Sequence, residues 1–357
     1  MSHSFFHFLT PQMSPKNQAF QVAKPVIGMV QPDHFAINDI PYPTLTENSV
    51  IVKALSLSVD PYLRGQPLPV GGTVNNYVVA RVEESSHKDY AVGDLLWGIM
   101  PLQRYSVITN FSVIYKLPAE VKADAEANKI PLSAYVGILG MPGQTAYGGV
   151  ASYSGVPVKE GDVVVVSGAA GCVGSAVAQF ARQRGAKKVI GIAGGPEKCK
   201  LAVEKYGFDY CIDYKQAKNR KEAAALLLEQ SPDGYDYFFD NVGGDFTQAL
   251  LQDGLLRYGA RVAVCGSISN YNDTEEEMIP NFLFKLIYKS ITVKGIIVFD
   301  WMHKPEFREE FYQSVARSIK EGKLQYDETI LDGFDKLPEA FVGLFTGKNV
   351  GKMVVNA

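Results

Sequence analysis

Val163-Val164-Val165-Val166-Ser167-Gly168-Ala169-Ala170-Gly171-Cys172-Val173-Gly174-Ser175 is the stretch on which the fold turns. Four consecutive valines are too apolar for a half-exposed strand and predict a buried strand of a parallel sheet, with small residues where the chain must bend. Ala176, Val177, Phe180 and Ala181 recur at helical spacing, and Lys187–Ile192 then resumes as a strand, which makes a β-α-β unit. A dinucleotide turn needs small residues for three reasons: a tight bend, close approach of backbone N–H groups to a pyrophosphate, and close packing of helix on strand. Ala169, Gly171 and Gly174 stand at those positions, an AxGxxG form of the fingerprint. The alternative reading is a Gly-rich turn with no ligand.

Toward the C-terminus the alternation continues. Strands are predicted at Val163–Val166, Val189–Ile192, Tyr210–Ile212, Tyr235–Phe239, Arg261–Cys265 and Ile291–Ile297, with helical patterns between them. Six strands suit a doubly wound parallel sheet. Helices are expected at Lys304–Glu321 and Lys336–Phe345 and a last strand at Gly351–Val355, all returning to the first domain. Toward the N-terminus, Phe35–Ile40, Ser49–Leu57, Val74–Glu83, Asp94–Trp97 and Arg104–Ile108 read as strands between Pro and Gly clusters, a compact β-rich domain. Ala123–Asn128 and Pro131–Leu139 look helical, and Gly140-Met141-Pro142-Gly143 reads as a hinge-like break before a helix at Gln144–Tyr153. Met1–Asn17 lacks a basic region and a long apolar run and reads as a loose extension rather than a secretory signal.

Composition bounds the function classes. The 357 residues suggest two domains, and 46% hydrophobic with 20% charged residues suits a globular chain. A net charge of −3 offers no polyanion-binding surface, so nucleic acid is not an expected partner. No run approaches a membrane span, which needs about 18 or more apolar residues. Cys172, Cys199, Cys211 and Cys265 form no CxxC pair and suit reduced thiols in the cytoplasm.

The nucleotide can be read further. A ribose 2′-hydroxyl is usually held by an acid about 20 residues beyond the glycines. Ala193-Gly194-Gly195-Pro196 stands there with no acid, and Lys198 follows, so a 2′-phosphate is favoured and NADP(H) is the expected cofactor. Tyr214 could pack on the same phosphate. Lys198 could instead be a solvated helix residue, and Glu197 could bond a ribose hydroxyl of NAD.

Several ordered motifs now carry a resemblance: Val59-Asp60-Pro61-Tyr62-Leu63-Arg64-Gly65, Gly140–Tyr147, the Ala169–Gly174 turn, Asp240-Asn241-Val242-Gly243-Gly244, Cys265–Asn272 and Asn349-Val350-Gly351-Lys352. From about Gln18 to its end the chain resembles a zinc-free member of the medium-chain dehydrogenase/reductase superfamily, in the branch of prostaglandin reductases and plant alkenal double-bond reductases. The resemblance implies a GroES-like substrate domain, 18–139 completed by 313–357, and a Rossmann domain at 140–312. It also implies a cofactor in the cleft and a homodimer. It assigns Gly171, Cys172 and Val173 to the pyrophosphate and places Met141, Thr145, Ala170, Gly174, Gly194, Asn241, Cys265, Ser267 and Asn349 among the cofactor-binding residues, each of which could instead be structural. Cys172 is read as a small filler. Pro67–Val70 and Leu102–Ser106 depart from the branch where the substrate pocket is expected.

Zinc-dependent members of the superfamily hold their metal with Cys and His from the first domain. This chain has no Cys before Cys172 and no His between Phe35 and Ser86, so no metal is expected. Without that electrophile, conjugate reduction is easier than reduction of an isolated ketone: hydride at the β-carbon leaves an enolate oxygen that one or two donors can stabilise. Tyr271, after the fifth strand of the parallel sheet, matches the family's active-site tyrosine and is the expected catalytic donor; it could otherwise cap its turn. Tyr62 would line the opposite wall, either as a second catalytic group or as packing. An enone or enal is the expected substrate. A quinone acceptor, or a nucleotide-binding protein without turnover, are the other readings.

Overall fold

In the computed structural model the described residues are 15–127, 129–275, 279 and 281–357. The expected extension therefore lies outside the described residues except at its end, where Asn17 is buried and opens the first strand.

The first domain begins with β1 (Asn17–Val22) and β2 (Phe35–Ile40), an antiparallel pair, followed by β3 (Val50–Ser58), β4 (Asn75–Ser85), β5 (Leu95–Pro101), β6 (Tyr105–Ile108) and β7 (Ile114–Lys116). Two helices follow, α1 (Ala119–Glu126) and α2 (Met141–Val150). The predicted helix at 131–139 is one short 3-10 turn, Leu132–Val136. The predicted hinge at Gly140–Gly143 is instead the start of α2. Pro142 sits in its first turn, where a missing N–H costs nothing, and a Cβ on Gly143 would lie 1.7 Å from the Ile138 carbonyl oxygen.

Next come β8 (Val163–Ser167), α3 (Cys172–Gln183), β9 (Lys188–Ala193), α4 (Pro196–Tyr206), β10 (Tyr210–Asp213), α5 (Arg220–Gln230), β11 (Tyr235–Asp240), α6 (Gly244–Gln252), β12 (Leu256–Val264), α7 (Leu283–Lys289) and β13 (Thr292–Gly295). These strands form a parallel sheet in the order β10-β9-β8-β11-β12-β13, the doubly wound arrangement. Every residue of β8 is buried, as the valine run requires. The order reverses between β8 and β11, and the crevice opens there.

The last elements are α8 (Pro305–Lys320), β14 (Glu328–Asp332), α9 (Leu337–Phe345) and β15 (Lys352–Asn356). Of these elements α8 packs on both domains. Phe307, Phe311 and Val315, spaced by one helical turn, are buried against Tyr147 of α2 and Phe180 of α3. On its flank Arg308 lies over the Tyr115 ring and Lys320 pairs with Asp124, so the helix spans the junction, and the expected boundary at 312/313 falls inside it. Only β14, α9 and β15 close the first domain: β15 pairs antiparallel with β3 and parallel with β14, giving the sheet order β14-β15-β3-β4-β5-β7 with β6 on β3.

Candidate active site

A cavity of about 510 Å³ lies between the two sheets. One wall is the carboxyl end of the parallel sheet. Gly168, with φ of +66°, turns the chain out of β8, and Gly171 caps α3. A Cβ on Gly174 would stand 2.3 Å from the Gly168 carbonyl oxygen, whereas one on Gly171 meets only that oxygen at 3.2 Å. Gly174 is thus a packing requirement and Gly171 keeps space open beside the α3 N-terminus, which is the shape a pyrophosphate needs.

Asp240, at the end of β11, joins β11 to β8. It is 1% exposed, and its Oδ1 accepts from Ser167 Oγ (2.8 Å), Val242 N (2.9 Å) and Gly243 N (3.0 Å), while its Oδ2 accepts from Thr247 Oγ1 (2.7 Å). Asn241 is held in turn by donating Nδ2 to the Ser167 carbonyl at 2.7 Å. Asp240 opens the Asp240-Asn241-Val242-Gly243-Gly244 motif, but sequence reading assigned a site role to Asn241 alone; an acid at a strand end followed by Asn-Val-Gly-Gly was the available signal.

The opposite wall belongs to the first domain and its C-terminal segment. Lys352, 4% exposed, donates to the carbonyls of Val59 (2.6 Å) and Met353 (2.7 Å) and pairs with Asp60 Oδ1 at 3.3 Å. Asn76 Nδ2 donates to Asp60 Oδ2 (3.0 Å) and to the Ser58 carbonyl (2.8 Å), and Asn76 Oδ1 accepts the Tyr62 phenol at 2.5 Å. Burial, then the Asp60 charge, push the Tyr62 phenol well above its ordinary pKa. Its proton is committed to Asn76, so what Tyr62 presents to the cavity is its ring. Asp60, Asn76 and Lys352 were missed as site residues because the network exists only after β15 docks on β3.

Most of the predicted site residues face this cavity: Tyr271, Tyr62, Met141, Thr145, Asn241, Cys265 and Asn349 line it, with Gly171, Cys172, Val173 and Gly174. Thr145 Oγ1 donates to the Met141 carbonyl at 2.8 Å. Asn349 Nδ2 donates to the Gly351 carbonyl at 3.0 Å, and Gly351 N donates to the Ala170 carbonyl at 2.8 Å, which seats the C-terminal segment on the dinucleotide turn. Tyr271 accepts from Ser267 N at 3.3 Å; a phenol accepting there keeps its proton for donation into the cavity. Burial pushes the Cys172 and Cys265 thiols up to about 12, which suits fillers rather than nucleophiles. Neither Pro67–Val70 nor Leu102–Ser106 is among the lining residues; Gln66, Ile99, Ile296–Phe299 and Leu344 are.

Gly194, Lys198 and Tyr214 lie outside this cavity, together at the ends of β9 and β10. A Cβ on Gly194 would stand 2.7 Å from the Tyr214 ring, so the glycine admits the tyrosine. Lys198 Nζ donates to the Gly347 carbonyl at 2.8 Å. Burial, then the like charge of Lys215, hold the Lys198 ammonium below its ordinary pKa. Lys215 escaped the sequence reading and adds a second cation beside Lys198. Asp213, the acid at this place, accepts from Gly195 N (2.7 Å) and Lys215 N (3.1 Å) through its Oδ1.

Residues 18–114 match the family model described as the N-terminal domain of oxidoreductase, and residues 172–320 the one described as zinc-binding dehydrogenase. The 2-alkenal reductase (NADP(+)-dependent) of Nicotiana tabacum is 40% identical over 86% of this chain and 87% of its own. The chain belongs to the zinc-free alkenal and prostaglandin reductase branch of the medium-chain dehydrogenases/reductases. Within that family, prostaglandin reductase 1 of Sus scrofa is 36% identical over 95% of this chain and 99% of its own. The crystal structure of CurA in complex with NADPH from Vibrio vulnificus superposes with a TM-score of 0.84 at 33% identity, covering 95% and 99% of the two chains. Among the described residues no group of three or more His, Cys, Asp or Glu could hold a metal, although one family model bears zinc in its description.

Proposed function

We propose that this reductase saturates the C=C bond of α,β-unsaturated ketones and aldehydes with NADPH. The observation that carries the reading is Tyr271, a phenol beyond the carboxyl end of β12, facing a cavity on which the apolar side chains of Ile268, Ile296 and Val298 also stand. Bound in the cleft, the dihydronicotinamide supplies the hydride for the β-carbon. The apolar walls exclude water and receive the substrate's hydrocarbon part, which strengthens any hydrogen bond made inside. Tyr271 donates to the carbonyl oxygen as negative charge gathers there and can pass its proton on. The Asp60–Asn76 network positions the Tyr62 ring across the cavity. Gly171 and the α3 N-terminus receive the pyrophosphate, and Lys198, Lys215 and Tyr214 the 2′-phosphate, which supports NADPH over NADH.

The same reading covers assembly, location and domain division. β13 is an edge strand exposed at every residue, and Phe284, Ile287 and Tyr288 of α7 beside it are exposed, which supports a homodimer paired through the parallel sheet. All four cysteines are free thiols, which supports a cytoplasmic location. No helix among the described residues is long and apolar enough to cross a membrane. The first domain is taken as 18–139 with the segment from β14 onward.

The test is NADPH oxidation against enals, enones and quinones with the product identified. A saturated carbonyl product, formed faster with NADPH than with NADH, is expected. No turnover across the panel, or an allylic alcohol product, overturns the reading. Tyr271→Phe should lower kcat by about 10²-fold, the usual cost of one oxyanion donor. Unchanged turnover would remove Tyr271 from the chemistry.

A further inference from the structure

Two of the four thiols meet outside the cavity lining. Cys199 lies on α4 immediately after Lys198, and Cys211 lies on β10 two residues before Asp213. Their sulfurs stand 2.8 Å apart, with the Cys211 thiol donating to Cys199 Sγ. Both are free; Cys211 is 7% exposed, while Cys199 is partly open to solvent. The geometry points to Cys199 and Cys211 as an oxidisable dithiol, a disulfide-forming modification site through which a hydroperoxide weakens the protein's grip on the nucleotide's 2′-phosphate.

The chemistry follows from the positions. The hydrogen bond from Cys211 holds the Cys199 thiol below its ordinary pKa, so Cys199 is the attacking sulfur and Cys211 the resolving one. The Cys199 thiolate attacks one oxygen of the hydroperoxide; an S–O bond forms, the O–O bond breaks, and the departing oxygen takes up the proton lost by Cys199 to leave as water or an alcohol. Cys211 Sγ then attacks the sulfenic sulfur. The S–S bond forms, the S–O bond breaks, and the hydroxyl leaves as water with the Cys211 proton. Two thiols are oxidised by two electrons and one peroxide bond is reduced by two.

The linkage to nucleotide rests on the proposed 2′-phosphate site. A disulfide requires the sulfurs to close to about 2.05 Å, drawing α4 and β10 together by less than about 1 Å. Those elements carry the phosphate residues: Lys198 precedes Cys199, and Asp213 fastens both the Gly195 turn and Lys215 by its Oδ1. Drawing them together displaces Lys198 relative to Lys215 and Tyr214. By reciprocity, bound NADPH must disfavour the disulfide at equilibrium by the same factor by which the disulfide weakens NADPH.

The experiment treats the purified full-length protein with hydrogen peroxide, with and without NADPH, and follows thiol alkylation, peptide mass mapping and NADPH binding by fluorescence. Expected are loss of two alkylatable thiols, a peptide joining Cys199 to Cys211 that dithiothreitol releases, and a rise in the NADPH dissociation constant of about fivefold or more, the lower end of ordinary coupling. Cys211→Ser should stop at a sulfenic acid on Cys199, trapped by dimedone, and keep its NADPH affinity after peroxide. Both thiols still alkylatable, or a link between other cysteines, overturns the site. A Cys199–Cys211 link that leaves NADPH affinity unchanged overturns the linkage. Failure of the untreated protein to bind NADPH would refute the nucleotide reading instead, and the peptide map would still decide the disulfide.

Discussion

On the nucleotide side of the cleft, the cavity wall comes from the carboxyl ends of β8, β11, β12 and β13, strands joined through β-α-β crossovers. On the substrate side it comes from residues such as Val59 and Lys352, 293 positions apart, held by one buried network. The nucleotide wall is made chiefly of backbone and small residues and tolerates little added volume. The substrate wall depends on charge and hydrogen bonding that must be complete to be stable at all. The two should therefore fail in different ways.

The largest effect is expected on the substrate side. Asp60→Ala leaves the Lys352 ammonium buried without its partner and should cost about 3–5 kcal/mol in denaturant unfolding. A cost below about 1 kcal/mol, the range of exposed pairs, would mean the network is not what closes the domain. On the nucleotide side, Gly174→Ala should cost about 1–3 kcal/mol of stability through overlap with the Gly168 carbonyl. Gly171→Ala should cost less in stability yet lose more NADPH affinity; equal behaviour of the two would erase the distinction between packing and ligand space. Lys198→Ala should weaken NADPH by about 1–3 kcal/mol and leave NADH nearly unchanged, measured by direct titration. Equal losses would move the phosphate to other residues.

The smallest effect is a pH dependence on the substrate side. Burial raises the Glu328 carboxyl above its ordinary 4.5, against the lowering influence of Ser133 and Lys352. With the folded-state pKa raised, the folded protein holds the extra proton, so stability declines as pH rises from the unfolded value through the folded one. Glu328→Gln removes that decline. The variant should match the parent below pH 4.5 and be slightly more stable at neutral pH, read as the difference between two unfolding curves. A difference that grows on acidification would reverse the assignment.

Legibility follows the same division. The β8–α3–β9 turn could be read because strand, bend and helix are consecutive and each constraint falls on the residues that display it. The Gly140–Gly143 break misled because Pro and Gly interrupt helices in general, whereas here they begin one, under a close approach that only the folded chain shows. β14 left no trace because Glu-Thr-Ile-Leu-Asp shows no alternation of polar and apolar residues, its apolar Ile330 standing on the exposed side. Lys215 was invisible because its place beside Lys198 depends on how β10 pairs with β9.

The sequence by itself determined the parallel sheet, the dinucleotide turn and the missing acid beside Lys198, since hydrophobic period and turn chemistry act over a few residues. The tertiary structure alone decided that Tyr62 spends its proton on Asn76, that α8 spans the junction, and that Cys199 meets Cys211. Each of these depends on segments brought together by packing, and no local pattern records which distant side chain will be waiting there.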